Sequence, residues 1–214
     1  MQLLNKEASK RIFAHTWYLY PLFIGITTLL WYWGFQAFHL PSAHQQLVMF
    51  FATNIYNESF ATDLQNYYYA PEKLRQVSAL HSLPSATGYY SKLQIYLNKS
   101  DILVLDKKTI DEFKGYQDRF FVEINDYVIN YYGLSNYEYY EYTDANEVTH
   151  KYGIKLKGRE EEHFLQRYMM FDEGYDYYIM LSISSINLGF VNSMDNIYYD
   201  NAITYMKHLL ELKI

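Results

Sequence analysis

Side chains that could carry out catalysis or bind a metal ion are few in this chain of 214 residues. His39 and His44 could share a metal ion, but two half-polar rings beside an apolar segment are better explained by an interfacial position. Residues 160–163 place three glutamates beside one histidine, but lack the ligand spacing of a zinc site, so a solvated acidic face is the better interpretation. The serines of residues 182–185 lack the Gly-x-Ser-x-Gly context of a nucleophile. The sequence therefore predicts no catalytic, metal or cofactor site.

Polar residues at the ends of predicted strands are the remaining candidates for binding. Asp101 and Asp106 flank an apolar strand, and Asp106 stands at its carboxyl end, where open α/β sheets bind ligands. Asp106 could instead cap the helix that follows, and we favour this simpler interpretation. The candidate contacts with a ligand or a partner are Asn54, Tyr56, Asp106, Asn192 and Ser193.

An apolar run over residues 17–38 contains no charged residue. The hydrocarbon core of a bilayer is roughly 30 Å thick and requires about 20 such residues in a helix. Aromatic residues with a polar edge stand toward both ends of the run, as they do at the level of lipid headgroups. A buried core helix is the alternative, but the rest of the chain is too polar to enclose one. The run predicts a transmembrane helix over residues 17–39, an uncleaved signal-anchor because a cleavable signal peptide has a shorter apolar region.

The charges that flank this run predict its orientation. Lys6, Lys10 and Arg11 precede it, and no further Lys or Arg occurs until Lys73. Basic residues near a membrane span stay in the cytoplasm. We therefore expect residues 1–16 to be cytoplasmic, residues 40–214 to form an extracytoplasmic domain, and the protein to lie in the plasma membrane.

Small and polar residues inside the run are candidate contacts with a helix of a membrane partner. Helices associate in lipid through small residues that permit close approach and through polar side chains. Such residues are tolerated in any span, so an anchor without contacts is the alternative. The candidates for partner contact are Gly25, Thr28, Gly34 and Gln36.

Composition excludes several classes of protein. A formal charge of −6 argues against nucleic acid as a partner, because phosphate binding requires a basic surface. The absence of cysteine excludes disulfides and thiolate metal sites, and an extracytoplasmic domain without disulfides favours a bacterial source. The chain has 26 tyrosines, whose preference for half-buried strand positions explains most of them; recognition of a sugar or a partner is the alternative.

The pattern after the apolar run predicts one α/β domain. Apolar runs at 46–52, 76–81 and 101–106 have strand length, and helical patterns alternate with them, as in a parallel βαβαβ unit. Further strands are expected at 137–142, 152–156 and 177–183, and an amphipathic helix closes the chain. We therefore expect a mainly parallel sheet over residues 40–214.

Three segments resemble parts of the extracytoplasmic solute-binding proteins of ABC transporters, which have the type 2 periplasmic-binding fold. Residues 90–106 are similar to their helix followed by Asp-Ile/Val and an apolar strand. Tyr152-Gly153-Ile154 resembles their Tyr-Gly-Ile-Pro strand, with Lys155 in place of the proline. Residues 189–193 and the helix at 197–210 resemble their closing segment. The resemblance spans residues 46–212 and is closest to small single-pass members from Gram-positive bacteria.

The resemblance implies one lobe of such a protein rather than two. Only residues 156–185 occupy the interval where a second lobe would lie, too few for an independent core. One lobe cannot close over a solute. The expected function is therefore a non-catalytic, membrane-anchored accessory subunit of an ABC-type transporter, with the bilayer and an integral membrane protein as partners. The alternative is an extracytoplasmic sensor or receptor for a small molecule.

Overall fold

The structure is a computed structural model, and it describes residues 10, 14–39, 41–55, 59–60, 62–63, 75–156, 165, 168–171, 174–188 and 201–211. The chain divides into two compact units, Met1–Leu40 and Pro41–Ile214. Helix α1 (Leu19–His39) belongs to the first unit. The second unit contains the described strands and the other described helices.

Helix α1 is 21 residues long, but it is not apolar enough to span a membrane. Rings with a polar edge, such as Trp31 and Trp33, together with Thr27, Thr28 and Gln36, lower its mean hydropathy. Within the described ranges, no helix combines the length and the hydropathy that crossing a membrane requires. The prediction of a transmembrane signal-anchor over residues 17–39 is therefore wrong. The predicted plasma-membrane localisation, with residues 1–16 inside and residues 40–214 outside, depended on this helix. It is wrong for the same reason.

The second unit contains eight described strands. They are β1 (Gln46–Phe51), β2 (Asn54–Ile55), β3 (Gln76–His81), β4 (Ile102–Asp106), β5 (Tyr139–Thr143), β6 (Thr149–Lys155), β7 (Met169–Met170) and β8 (Tyr177–Leu181). Six of them form one sheet in the order β3-β1-β4-β8-β6-β5, while β2 and β7 form a separate antiparallel pair. Most bounds lie within a few residues of those expected from the sequence.

The six-stranded sheet is mixed, so the expectation of a mainly parallel sheet is wrong. Strands β3, β1 and β4 are parallel, as the βαβαβ pattern predicts. Strand β8 lies between β4 and β6 and is antiparallel to both, and β5 and β6 form an antiparallel hairpin. The physical reason is that the chain returns along β8 from the opposite edge of the sheet instead of crossing over by a helix, as parallel pairing requires.

The described part of the second unit also contains four helices and two short 3₁₀ turns. They are α2 (Tyr89–Leu97), α3 (Lys107–Asp111), α4 (Asp126–Tyr132) and α5 (Asn201–Glu211), with turns at Ala43–Gln45 and Gln117–Arg119. Helix α4 begins where the Asn125 side chain accepts a hydrogen bond from the Val128 N–H, and it ends at Gly133, whose φ of 68° is left-handed. These local signals define the helix bounds.

Side chains alternate between two hydrophobic layers, one on each face of the sheet. In β1, Leu47, Met49 and Phe51 join the layer that contains α4 and α5, whereas Phe50 joins the layer that contains α2 and α3. The central strands β4 and β8 are buried along their whole length. This alternation is the period of two that a strand covered on both faces must show.

A buried carboxylate, Asp101, ties together the amino ends of β1 and β4. Its Oδ2 accepts a hydrogen bond from the Val48 N–H at 2.8 Å, and its backbone N–H donates to the Val48 carbonyl at 2.8 Å. Its Oδ1 accepts from the Ser185 hydroxyl at 2.5 Å and from the Asn187 amide at 3.1 Å, in the segment that follows β8. Asp101 is 5% exposed, and this burial raises the pKa of its carboxyl. The three hydrogen bonds that the carboxylate accepts act against this increase in pKa.

The same network fixes where α5 begins. The Asn187 side-chain amide donates a second hydrogen bond, to the Gln46 backbone carbonyl, at 2.9 Å. The backbone carbonyl of Asn187 accepts from the Ala202 N–H at 3.1 Å. The Asp101 carbonyl accepts from the Ser182 N–H at 3.0 Å. Asp101 therefore connects two parallel strands, the segment after β8 and the first turn of the last helix.

We expect Asp101→Asn to lower the free energy of unfolding by about 1–3 kcal/mol at neutral pH. An asparagine has one oxygen and one NH₂ group, so at least one of the three donors around position 101 would face another donor. Chemical denaturation of the full chain measures the change. The matched control is Asp118→Asn at an exposed position, where the same substitution should change the stability by less than about 0.5 kcal/mol. Equal effects of the two substitutions would contradict the role assigned to Asp101.

Candidate functional site

The carboxyl ends of β1, β3 and β4 carry the polar residues that the sequence places nearest to a ligand site. Asp106 is buried and is the N-cap of α3. Its Oδ1 accepts a hydrogen bond from the Thr109 N–H at 2.9 Å, and its Oδ2 accepts from the Thr109 hydroxyl at 2.6 Å. The Tyr89 hydroxyl lies 3.3 Å from the Thr109 hydroxyl, and burial raises the pKa of Tyr89. The carboxylate of Asp106 thus serves the helix cap.

The segment after β1 is held by a second set of contacts. Asn54 lies in β2, is half-buried and pairs with Met170 of β7. The buried Thr53 hydroxyl donates to the Met170 carbonyl. The hydroxyl of Ser82, directly after β3, is buried and has no hydrogen-bond partner within the described part of the structure. These groups offer hydrogen bonding rather than acid–base chemistry.

Three of the predicted contacts cannot be placed at this edge. Tyr56, Asn192 and Ser193 lie outside the described residues, as do residues 160–163, and the side chains of His39 and His44 are not described either. Among the residues that the structure describes, no group of three or more His, Cys, Asp or Glu side chains could hold a metal ion. The structure therefore brings Asn54 and Asp106 to the same edge of the sheet, but through separate local contacts.

Sequence reasoning missed several polar residues of this edge. Thr53, Ser82, Tyr89 and Thr109 are buried there, and none belongs to a motif with a recognisable spacing. The usable signal for Thr53 and Ser82 is their position directly after an apolar run of strand length.

The surface of α1 is the second candidate site. Its Thr27 and Thr28 hydroxyls donate to the carbonyls of Phe23 and Ile24, at 2.7 Å and 2.8 Å, and are therefore satisfied within the helix. A methyl group added at Gly25 or Gly34 would meet no described atom within 4 Å. Of the four candidate contacts, Gly34 and Gln36 are half-buried, whereas Gly25 and Thr28 are exposed. The exposed surface of α1 consists almost entirely of apolar side chains.

Apolar side chains on α1 are exposed to an extent rare for a folded protein. The exposed fraction is 67% for Ile24 and Leu30, 75% for Trp31, 72% for Trp33 and 84% for Phe38. Single exposed leucines are normal, but a continuous surface of this kind marks an interaction site. Within the described ranges, α1 carries more exposed large hydrophobic side chains than any other element.

A charged cluster joins the β5–β6 hairpin to the segment before α4. His150 Nδ1 lies 2.9 Å from Glu123 Oε1, and its Nε2 lies 3.8 Å from Asp144 Oδ2 in the hairpin turn. The hydrogen bond to Glu123 is the main cause that raises the pKa of His150 above its usual value. Asp144 accepts hydrogen bonds from two backbone N–H groups of the turn, at Asn146 and Val148, which lower its pKa.

No family model, no curated protein and no solved structure matches this chain. The resemblance to solute-binding proteins therefore stays a prediction.

The stabilising effect of the His150–Glu123 pair should depend on pH. Because the folded state raises the pKa of His150, its contribution is fully present below the unfolded pKa and is lost as the pH rises through the folded value. Both side chains are partly exposed, so the effect should be at most about 0.5 kcal/mol. Glu123→Gln should lower the pKa of His150 toward about 6.5, measured by NMR titration of the ring protons. A pKa that the substitution leaves unchanged would contradict the pairing.

Proposed function

We propose that this protein is a non-catalytic subunit of a larger protein assembly, and that α1 attaches it by inserting among helices of a partner. The observation that carries the proposal is the exposure of large apolar side chains on every side of α1. A helix that is apolar all round is stable in an apolar surrounding. With no described helix able to cross a membrane, we assign that surrounding to protein.

The all-round character of α1 follows from its consecutive exposed residues. Successive side chains of a helix differ by about 100° in direction. Phe23 and Ile24 are 65% and 67% exposed, and Leu29, which points about 120° away from Phe23 and about 140° away from Ile24, is 61% exposed. No single stripe of the helix therefore holds the apolar surface.

This distribution selects the kind of partner. A second copy of α1 would cover one stripe roughly 100° wide and leave the remaining apolar surface in water. A site formed by several helices covers the full circumference. We therefore commit to a multi-helix protein as the occupant and not to a homodimer of α1.

The energetics favour burial of α1 within protein. Full burial of a Leu, Ile or Phe side chain contributes about 1.5–3 kcal/mol. The helix has no charged side chain to desolvate, and its threonine hydroxyls already donate to its own carbonyls. The gain in free energy is thus opposed mainly by the entropy of association.

The identity of the partner, and the binding of any small molecule, stay predictions. An ABC-type transporter as the partner is supported by the sequence resemblance alone. The alternative, a receptor for a small molecule, is weakened by the contacts at the carboxyl edge, where Asp106, Thr109 and Thr53 bind other groups of the chain.

Aspartate substitutions on three sides of α1 test the proposal. Phe23→Asp, Ile24→Asp and Leu29→Asp should each reduce recovery of the partner with the tagged full-length chain at least about tenfold, because a carboxylate in a dry interface costs several kcal/mol. Quantitative co-purification after chemical crosslinking measures the recovery. The matched control is Ile95→Asp on α2, an exposed isoleucine that should leave recovery unchanged.

The pattern among the variants decides the outcome. Loss in all three variants supports insertion among several helices. Loss in a single variant would indicate contact through one stripe and would overturn the multi-helix site. Undiminished recovery in all three would show that α1 is not the attachment element.

A further inference from the structure

Two exposed tyrosines stand side by side on α4. Tyr127 and Tyr131 are 69% and 67% exposed, whereas Val128 and Ile129 between them are buried. The two rings are stacked, with centroids 5.9 Å apart and an interplanar angle of 19°. Tyr131 also meets the ring of Tyr132 edge-on at 4.9 Å. The pair is held in place by ring contacts and not by burial.

The hydroxyls of this pair are not engaged by the domain. Within the described residues, neither Tyr127 nor Tyr131 has a hydrogen-bond partner for its hydroxyl. Two other exposed tyrosines of the second unit are engaged: Tyr90 donates to Glu112 at 2.7 Å, and Tyr116 lies under the guanidinium of Arg119. A preference of tyrosine for half-buried strand positions does not explain two residues exposed on a helix.

The segment of the chain that contains the pair is acidic. Residues 121–156 contain six Asp or Glu against two Lys, a formal charge of −4 out of the total of −6. Asp126 precedes Tyr127 on the exposed side of α4, and its side chain is 89% exposed. Glu123, before the helix, is 45% exposed. A partner surface that matches this one is cationic.

The domain already shows how a cation binds here. The Lys151 ammonium lies 5.5 Å from the centre of the Tyr139 ring and 3.6 Å from Asp126 Oδ1, so it contacts an aromatic face and a carboxylate at once. The Arg119 guanidinium lies 5.0 Å from the centre of the Tyr116 ring. Tyr127 and Tyr131 offer the same kind of ring face to a cation from outside.

We propose that the exposed side of α4, formed by Tyr127, Tyr131 and Asp126, is a docking surface for an arginine-bearing segment of a protein partner. A guanidinium is planar and weakly hydrated, so it can stack on a tyrosine ring while its edge pairs with a carboxylate. Lysine provides the charge without the stacking plane. The proposal goes beyond attachment by α1 and depends only on the second unit.

The test uses two immobilised peptides and the full-length chain. One peptide is acetyl-Gly-Arg-Gly-Arg-Gly-amide, and the other carries citrulline, a neutral isostere, in place of each arginine. Surface plasmon resonance should detect binding to the arginine peptide that weakens with salt, and none of comparable strength to the citrulline peptide. Equal binding to both peptides would overturn the proposal.

Variants locate the binding on α4. Combining Tyr127→Ala with Tyr131→Ala should weaken binding at least about fivefold, whereas Tyr127→Phe with Tyr131→Phe should retain it, because the ring face is kept. Asp126→Asn should weaken binding and reduce its salt dependence. Tyr175→Ala, at another exposed tyrosine, is the matched control and should change nothing.

Two further outcomes would contradict the proposal. An equal loss in the Tyr175→Ala variant would show diffuse attraction to an acidic protein. Displacement of the peptide by a neutral oligosaccharide such as maltotriose would identify the tyrosine pair as a sugar platform. Thermal unfolding of each variant at an unchanged midpoint establishes that the second unit remains folded.

Discussion

The hydrogen bonds of the buried Asp101 carboxylate are the constraint on which the architecture of the second unit depends. A buried carboxylate without partners is costly, so it strongly favours the one arrangement that supplies its donors. Those donors come from β1 and from the segment after β8. Because Asp101 directly precedes β4, satisfying it fixes β1 beside β4 on one side and the end of β8 on the other. The hydrogen bonds of Asp101 therefore join the parallel strands β1 and β4 to the segment that follows the antiparallel strand β8.

With the core fixed in this way, two polar side chains at the opposite edge of the sheet also bind other groups of the chain. Asp106 caps α3, and the Thr53 hydroxyl binds β7. The described interior of the second unit therefore offers few polar side chains for binding another molecule. Two exposed surfaces are better suited to binding, the apolar circumference of α1 and the stacked tyrosines of α4. Both features are suited to binding protein, as in a subunit of a larger assembly.

Local features of this fold could be predicted from the sequence. The strand at Gln76–His81 has its predicted bounds, β1 and β4 differ from theirs by one residue at one end, and Asp106 caps the following helix in the way that its position favours. Each of these features depends on residues close together in the chain.

Contacts between distant residues could not be predicted. The hydrogen bond from Ser185 to Asp101 joins residues 84 positions apart, and nothing in the spacing of either residue indicates it. For the same reason the antiparallel insertion of β8 was missed, since an apolar run predicts a strand without its direction. The length of the apolar run predicts a membrane span, but its tyrosines, tryptophans and threonines make α1 less apolar than a span requires.

The tryptophans of the chain provide the most direct test of the central claim that protein surrounds α1. All three, Trp17, Trp31 and Trp33, lie in or just before this helix, and they are 60%, 75% and 72% exposed. Acrylamide should quench their fluorescence strongly in the isolated full-length chain, and much less in the purified assembly with the partner. Strong protection of the isolated chain in buffer, or protection by phospholipid vesicles without any partner protein, would contradict the account.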